Sequence, residues 1–247
     1  MGESVSTDRY TPKQRTEYRR RLAGDLEIFD RYLQRAEFED AGTVGMELEL
    51  NLVDQDMQPV NANQDVLASL DEEYQSELGS YNVELNNPPV ALTGDGLFQL
   101  EKSVSVRLAA VRDAADAAGV KVAMIGTLPT MTTEFLESPD WMTSENRYQA
   151  LNNAVMDSRG EMVRIEVSGR EHFGHDFANI APESTCTSVQ LHLQVPPERF
   201  ADAWNASQAI AGIQVALGAN SPLFCGRKLW GRVSHPGVPA GHRHPHA

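Results

Sequence analysis

Three segments of this chain alternate strictly between apolar residues and a small set of acids, amides and one histidine. Met46, Leu48, Leu50 and Leu52 alternate with Glu47, Glu49 and Asn51. Tyr81, Val83 and Leu85 alternate with Asn82, Glu84 and Asn86, and Val189, Leu191, Leu193 and Val195 with Gln190, His192 and Gln194. Side chains on a strand point alternately to its two faces, so each segment reads as a strand with one dry and one wet side. An ordinary solvated face would also carry lysine, threonine, serine and arginine, whereas the only cation these sets offer is a protonated His192. Bringing Glu47, Glu49 and Glu84 together costs repulsion unless a cation sits between them. Carboxylate oxygens are hard ligands that suit magnesium or manganese, held with waters and phosphates. For any one strand a wet sheet edge is the simpler reading. Three strands of the same character point to a site, without naming a reaction.

The rest of the chain sets these strands among helices. Thr11 followed by Pro12 starts a helix, and Tyr18, Leu22, Leu26, Phe29 and Leu33 recur at helical spacing to about Arg35. A strand is expected over 43–53, turn chemistry over 54–63, and a helix over about 65–78 that buries Val66, Leu70 and Tyr74. The second alternating strand is expected to stop at Pro88–Pro89. Gly94–Gly96 leads into a helix to about Ala118, with Leu97, Leu100, Val104, Leu108 and Val111 inward. A short strand over 120–126, a loop over 127–143, a helix over 146–158 and a strand over 161–168 follow. Residues 169–184 read as a polar loop, 186–195 as the third alternating strand, and a helix runs from after Pro197 to about Leu217. Strands and helices mix without a strict βα rhythm, which favours α+β: a mostly antiparallel sheet with helices on one face.

Charge narrows the partners. The 247 residues are 41% hydrophobic, enough to bury a core, and carry a net charge of −14. That balance argues against nucleic acid or an anionic membrane as the main partner. It does not argue against ATP, because divalent cations mediate between carboxylates and phosphates. Two cysteines, Cys186 and Cys225, make no disulfide framework. The polar N-terminus and the lack of any apolar run near the roughly 20 residues of a membrane span lead to the expectation of a soluble, cytoplasmic protein.

The wording of the motifs goes further than their alternation. Gly45-Met46-Glu47-Leu48-Glu49 resembles the opening strand of the second-type glutamate–cysteine ligases and related carboxylate–amine ligases. Tyr81–Pro89 is similar to their second acidic strand, Val189–Val195 to their histidine strand, and Ala219-Asn220-Ser221-Pro222 to their helix-to-loop segment. The resemblance covers about Thr43–Trp230 and implies a glutamine-synthetase-like antiparallel sheet whose polar face lines the active site. It implies ATP as phosphoryl donor, magnesium (or manganese) as metal, and glutamate and cysteine, or another acid and amine, as substrates. Carried over by position, Glu47, Glu49 and Glu84 would be metal ligands, and Gln190 and His192 would lie beside substrate or nucleotide phosphate. Arg147, in Asn146-Arg147-Tyr148, corresponds to a recurrent Arg-Tyr pair that could meet carboxylate or phosphate; a surface helix arginine is an equal alternative.

Other features carry less. Thr127 and Pro129 resemble a loop bordering the site, though a strand end with a turn accounts for them as well. His172 and His175 lack further ligands at fixed spacing and read as ordinary exposed histidines, and Gly94-Asp95-Gly96 as a turn and helix cap. A glycosidase acid–base pair at Glu47 and Glu49, about 7 Å apart by strand rise, would need exposed aromatics that a 7% aromatic chain hardly offers. Family members continue past the Ala-Asn-Ser-Pro segment, whereas Gly231–Ala247 here holds four of the seven histidines, among them His242, His244 and His246, and no acid. The expected division is therefore a helical segment at 1–42, a partial catalytic domain at 43–230, and at 231–247 a disordered tail from a truncated or shifted reading frame. A non-catalytic nucleotide- or metal-binding fragment is the alternative function.

Overall fold

The eleven-residue strand expected at the first acidic motif forms with those bounds, β1 (Thr43–Val53), and the main sheet is built around it. The computed structural model describes residues 4–35 and 42–233. Helix α1 (Pro12–Arg35) precedes β1, and α2 (Asn63–Leu67), β2 (Tyr74–Ser76), β3 (Asn82–Ala91), α3 (Gly96–Ala117) and β4 (Lys121–Ala123) follow it. Next come α4 (Thr133–Leu136), α5 (Asn146–Arg159), a hairpin of β5 (Val163–Ser168) and β6 (His172–Phe177), and β7 (Val189–Leu193). Helix α6 (Phe200–Gly218) and a second hairpin, β8 (Ser221–Phe224) with β9 (Arg227–Val233), end the described chain. The main sheet runs β2-β3-β1-β4, with β7 also paired to β1, and every pairing is antiparallel. The fold is α+β, as expected.

One core lies on the dry side of this sheet. Leu48, Leu50, Val83 and Leu85 pack there against Val66 of α2 and Val111 of α3. Gly96 lets α3 start against the end of β3, since a Cβ at that position would fall 1.7 Å from the Ala91 carbonyl oxygen. A second core joins the end of β1 to the hairpins, with Tyr81, Leu128, Trp141, Phe173, Phe177 and Phe224 buried together.

Several local expectations fail for tertiary reasons. The helix expected over 65–78 stops at Leu67, because Tyr74–Ser76 pair with Val83–Leu85 as β2. Val66, Leu70 and Tyr74 fit a helical period, but backbone pairing with β3 decides the outcome. β3 does not stop at Pro88–Pro89: the two prolines face Gly45 alone in a bulge, where a missing N–H costs nothing, and pairing resumes at Val90. The polar loop of 169–184 contains β6 and a 3-10 turn, Ala181–Thr185. Leu97 of α3 is exposed rather than inward. Tyr18, Leu22, Leu26, Phe29 and Leu33 of α1 are exposed as well, and neither α1 nor α6 has a buried residue. The tail expected to be unstructured from 231 opens inside β9, which runs to Val233; the remainder, with His242, His244 and His246, lies outside the described residues. No described helix is long and apolar enough to cross a membrane.

Candidate metal and phosphate site

The register of the sheet puts the acids of β1 and β3 on one face with the amide and histidine of β7. Glu49 lies opposite Glu84, Glu47 opposite Asn86 on one side and Gln190 on the other, and Gly45 opposite His192. Residues opposite each other in an antiparallel pair project to the same side, so Glu47, Glu49, Glu84, Gln190 and His192 share the wet face. Gln75 of β2 lies opposite Glu84, and Glu77, two residues on, joins the same group.

Within this face the carboxylates divide. Glu49, Glu77 and Glu84 offer oxygen atoms that all lie within 4.8 Å of one another. Glu84 is buried and the other two are half-buried. Glu47 stands one step along β1, with its Oε1 3.3 Å from His192 Nε2. Gln190 is turned toward the cluster, its Nε2 donating to Glu49 Oε1 at 3.1 Å, and the Ser188 amide donates to Glu49 Oε2 at 2.9 Å. Asn86 Nδ2 donates to Glu84 Oε1 at 2.6 Å. Both residues of β7 that point to this face, Gln190 and His192, are exposed.

The amides at the other end of the face are structural. Asn82 Nδ2 donates to Asn51 Oδ1 at 3.0 Å, and Asn51 Nδ2 donates to the Ile125 carbonyl at 3.0 Å. The Ala-Asn-Ser-Pro segment closes on the next residue: Asn220 Oδ1 accepts from the Gly126 amide at 3.0 Å. A Cβ at Gly126 would lie 2.7 Å from Ser221 Oγ, so a side chain there would have to displace that hydroxyl. Thr127 is fully buried.

Electrostatics identify the cluster as a site short of positive charge. Burial, a hydrogen bond shared with Glu84, and the charges of Glu84 and Glu49 push the Glu77 carboxyl from the ordinary 4.5 up to about 8. Burial also raises Glu49, opposed by the hydrogen bonds from Ser188 and Gln190. Crowded carboxylates of this kind keep a proton or take up a cation. The donor set is all carboxylate oxygen, which fits a hard divalent ion and leaves room in its octahedron for waters and phosphate oxygens.

Arg147 is not on the wet face. It stands in the first turn of α5, mostly buried, with Nε 2.9 Å from Glu145 Oε2 and Nη2 donating to Ser76 Oγ at 2.9 Å. Glu145 of the protein itself is one carboxylate partner, and the guanidinium meets the residue before Glu77. His172 and His175 fall on opposite faces of β6; His175 Nε2 lies 2.7 Å from Glu137 Oε1 and His172 Nδ1 lies 3.3 Å from Ser168 Oγ, so they form no metal pair.

Sequence reasoning missed Glu77, which the helical period assigned to α2. The available signal was Gln75 and Glu77 alternating with Tyr74 and Ser76, the same amide–acid alternation as in the longer strands.

No curated protein matched the chain. The profile of glutamate–cysteine ligase family 2 (GCS2) matches residues 43–231, from the first residue of β1 into β9. That span contains the carboxylate cluster, the histidine strand and the Ala-Asn-Ser-Pro segment, and covers well over half of the sequence: the chain belongs to glutamate–cysteine ligase family 2.

Proposed function

We propose that the chain carries the metal and phosphate site of an ATP-dependent carboxylate–amine ligase that joins the γ-carboxylate of glutamate to the amine of cysteine. The observation that supports this most is the convergence of Glu49, Glu77 and Glu84, with oxygens within 4.8 Å of one another, inside the span of the family match. In this reading a γ-carboxylate oxygen attacks the terminal phosphorus of ATP, ADP leaves, and the amine displaces phosphate from the resulting acyl phosphate. Phosphoryl transfer of this kind needs positioning and charge neutralisation more than covalent help from the protein.

Glu49, Glu77 and Glu84 would hold magnesium or manganese, with Glu47 beside them on the same face. The bound ion would neutralise the charge on the nucleotide phosphates. Gln190 orients Glu49 through its amide, and His192, beside Glu47, is exposed at the side of the face that is open to a phosphate or a substrate carboxylate. A protonated imidazole there would supply a positive charge next to an otherwise acidic face.

The test is ADP release by the full chain in the presence of magnesium, with glutamate and cysteine supplied together and singly. Formation of a γ-glutamyl–cysteine product with matching ADP supports the reading. Turnover with glutamate and a different amine would keep the ligase and change the acceptor. Binding of magnesium and ATP with no glutamate-dependent ADP release would favour a non-catalytic nucleotide-binding role.

A further inference from the structure

Glu77 is the one carboxylate of the cluster that no strand holds. It follows Ser76, the last residue of β2, and so stands just past the ladder with β3. Its backbone is held by the segment from Trp141 to Tyr148. Thr143 Oγ1 donates to the Glu77 carbonyl, and the Thr143 amide donates to the Leu78 carbonyl at 2.9 Å. Gly79 forms a β-bridge with Met142, and the Ser80 amide donates to the Trp141 carbonyl at 2.8 Å. On the other side of Glu77, the Ser76 carbonyl accepts from Tyr148 Oη at 2.5 Å and from Arg147 Nη2 at 3.3 Å. Ser76 Oγ accepts from Arg147 Nη2 and donates to Glu145.

The two anchors differ in chemistry but act on adjacent peptide groups. Thr143 is 2% exposed, and its hydroxyl is fixed by a hydrogen bond from Asn63 Nδ2 at 2.7 Å. Arg147 and Tyr148 are the second and third residues of the fourteen-residue α5, and the guanidinium stacks over the Tyr148 ring at 4.5 Å. Both anchors therefore transmit the position of buried or helical backbone to the residue that bears the carboxylate. Without them, repulsion from Glu49 and Glu84 would drive an ionised carboxylate at a strand end away from the cluster.

Resting on the metal reading given above, we propose that Thr143, Arg147 and Tyr148 are positioning residues that hold Glu77 in the cation site, and that Arg147 acts through the protein rather than on phosphate. The outer partners of metal ligands govern affinity by fixing ligand orientation, and their loss typically costs about 10-fold to 100-fold in binding.

The experiment measures manganese binding to the full chain without nucleotide, by calorimetry and by the electron paramagnetic resonance signal of free Mn2+, beside the melting temperature of each metal-free variant. Glu77→Gln is expected to abolish tight binding. Thr143→Val, Tyr148→Phe and Arg147→Lys are each expected to weaken it about 10-fold to 100-fold, and Thr143→Ser to restore it. A merely structural role would lower the metal-free melting temperature and leave affinity alone, which overturns the proposal. So does parental affinity in both Tyr148→Phe and Thr143→Val when Glu77→Gln has lost binding; the metal reading then still stands. Parental affinity in Glu77→Gln, or no binding by the parent, instead removes the metal reading itself. Should Thr143→Val fail to fold, Tyr148→Phe and Arg147→Lys decide. Lower ATP affinity with unchanged manganese affinity in Arg147→Lys would return that residue to the phosphate.

Discussion

The wet face of the sheet has two margins, and they are built differently. On one, β2 is three residues long, with Tyr74 and Ser76 buried and its exit held by hydrogen bonds from 141–148. On the other, β7 is exposed at all five positions, including its dry side, where Val189, Leu191 and Leu193 stand more than half exposed. The β2 margin delivers a carboxylate into a crowd of carboxylates, where a retained proton or a cation and a rigid support sustain it. The β7 margin delivers an amide and an imidazole, which meet acids and are drawn in by attraction. Repulsive geometry needs scaffolding, and attractive geometry holds with less.

The largest expected consequence concerns packing. Tyr74→Ala removes a buried ring whose hydroxyl also donates to the Arg107 carbonyl, and should cost about 3 kcal/mol or more. Leu191→Ala on the other margin should stay within about 0.5 kcal/mol. Urea denaturation of both variants measures the contrast. A cost for Leu191→Ala comparable to that for Tyr74→Ala would mean that the dry side of β7 is covered in solution, and the comparison of margins would fail.

Metal linkage should separate the margins next. A ligand that binds only the folded chain stabilises it by about 2.7 kcal/mol at a hundred times its Kd. Magnesium at that level should raise the melting temperature of the parent and of His192→Gln, and leave Glu77→Gln nearly unmoved. Removing Glu77 also relieves repulsion, so the metal-free Glu77→Gln chain should melt at or above the metal-free parent. Equal magnesium-induced shifts in Glu77→Gln and the parent would break the assignment of the cluster.

The pH dependence follows from the same crowding. The folded Glu77 carboxyl titrates near 8 against 4.5 ordinarily, so between those values the folded chain holds a proton that the unfolded chain has released. This contribution to stability is fully present below pH 4.5 and is lost as pH rises through about 8. Metal-free protein should therefore lose stability over that window, and Glu77→Gln should flatten the decline. Saturating magnesium should flatten it too, because the cation replaces the proton. A metal-free stability curve with the same slope in parent and Glu77→Gln would show that Glu77 is not the group that titrates.

How much of this was legible in the sequence divides along similar lines. Strands long enough to show their own alternation were legible: β1 appears with its observed bounds, and the pairing register then places Glu47, Glu49, Glu84 and His192 on one face. The ligase family was legible from the motif wording and agrees with the family match. β2 was hard to read, because its short alternation is outweighed by the spacing of Val66, Leu70 and Tyr74, which imitates a helix. Its conformation is imposed by pairing with the next strand, β3, and Glu77 was lost with it. Arg147 was visible as a residue but not as a brace, since its contact with Ser76 is set by tertiary structure. The exposure of α1 was equally hidden: an apolar stripe says that a helix has something to bury, not that a partner lies against it.

The smallest effect tests how firmly the β7 margin holds its contact. Gln190 is exposed, yet its Nε2 lies 3.1 Å from Glu49 Oε1 and favours the ionised carboxylate. Gln190→Ala removes that donor and leaves Ser188, whose amide sits 2.9 Å from the other oxygen and whose side chain also favours the ionised form. The stability cost should be under about 1 kcal/mol, since a single hydrogen bond at a solvated edge contributes little net energy. The informative readout is the Glu49 carboxyl, followed by carbon-detected magnetic resonance of the metal-free chain. Burial already raises its pKa, and loss of the amide should raise it further, so the folded chain holds that proton to higher pH. Stability would then keep falling with pH over a wider range than in the parent. An unchanged Glu49 titration in Gln190→Ala would mean that Ser188 holds the carboxylate without it, and that β7 lends its strand to the sheet but not the Gln190 amide to the site.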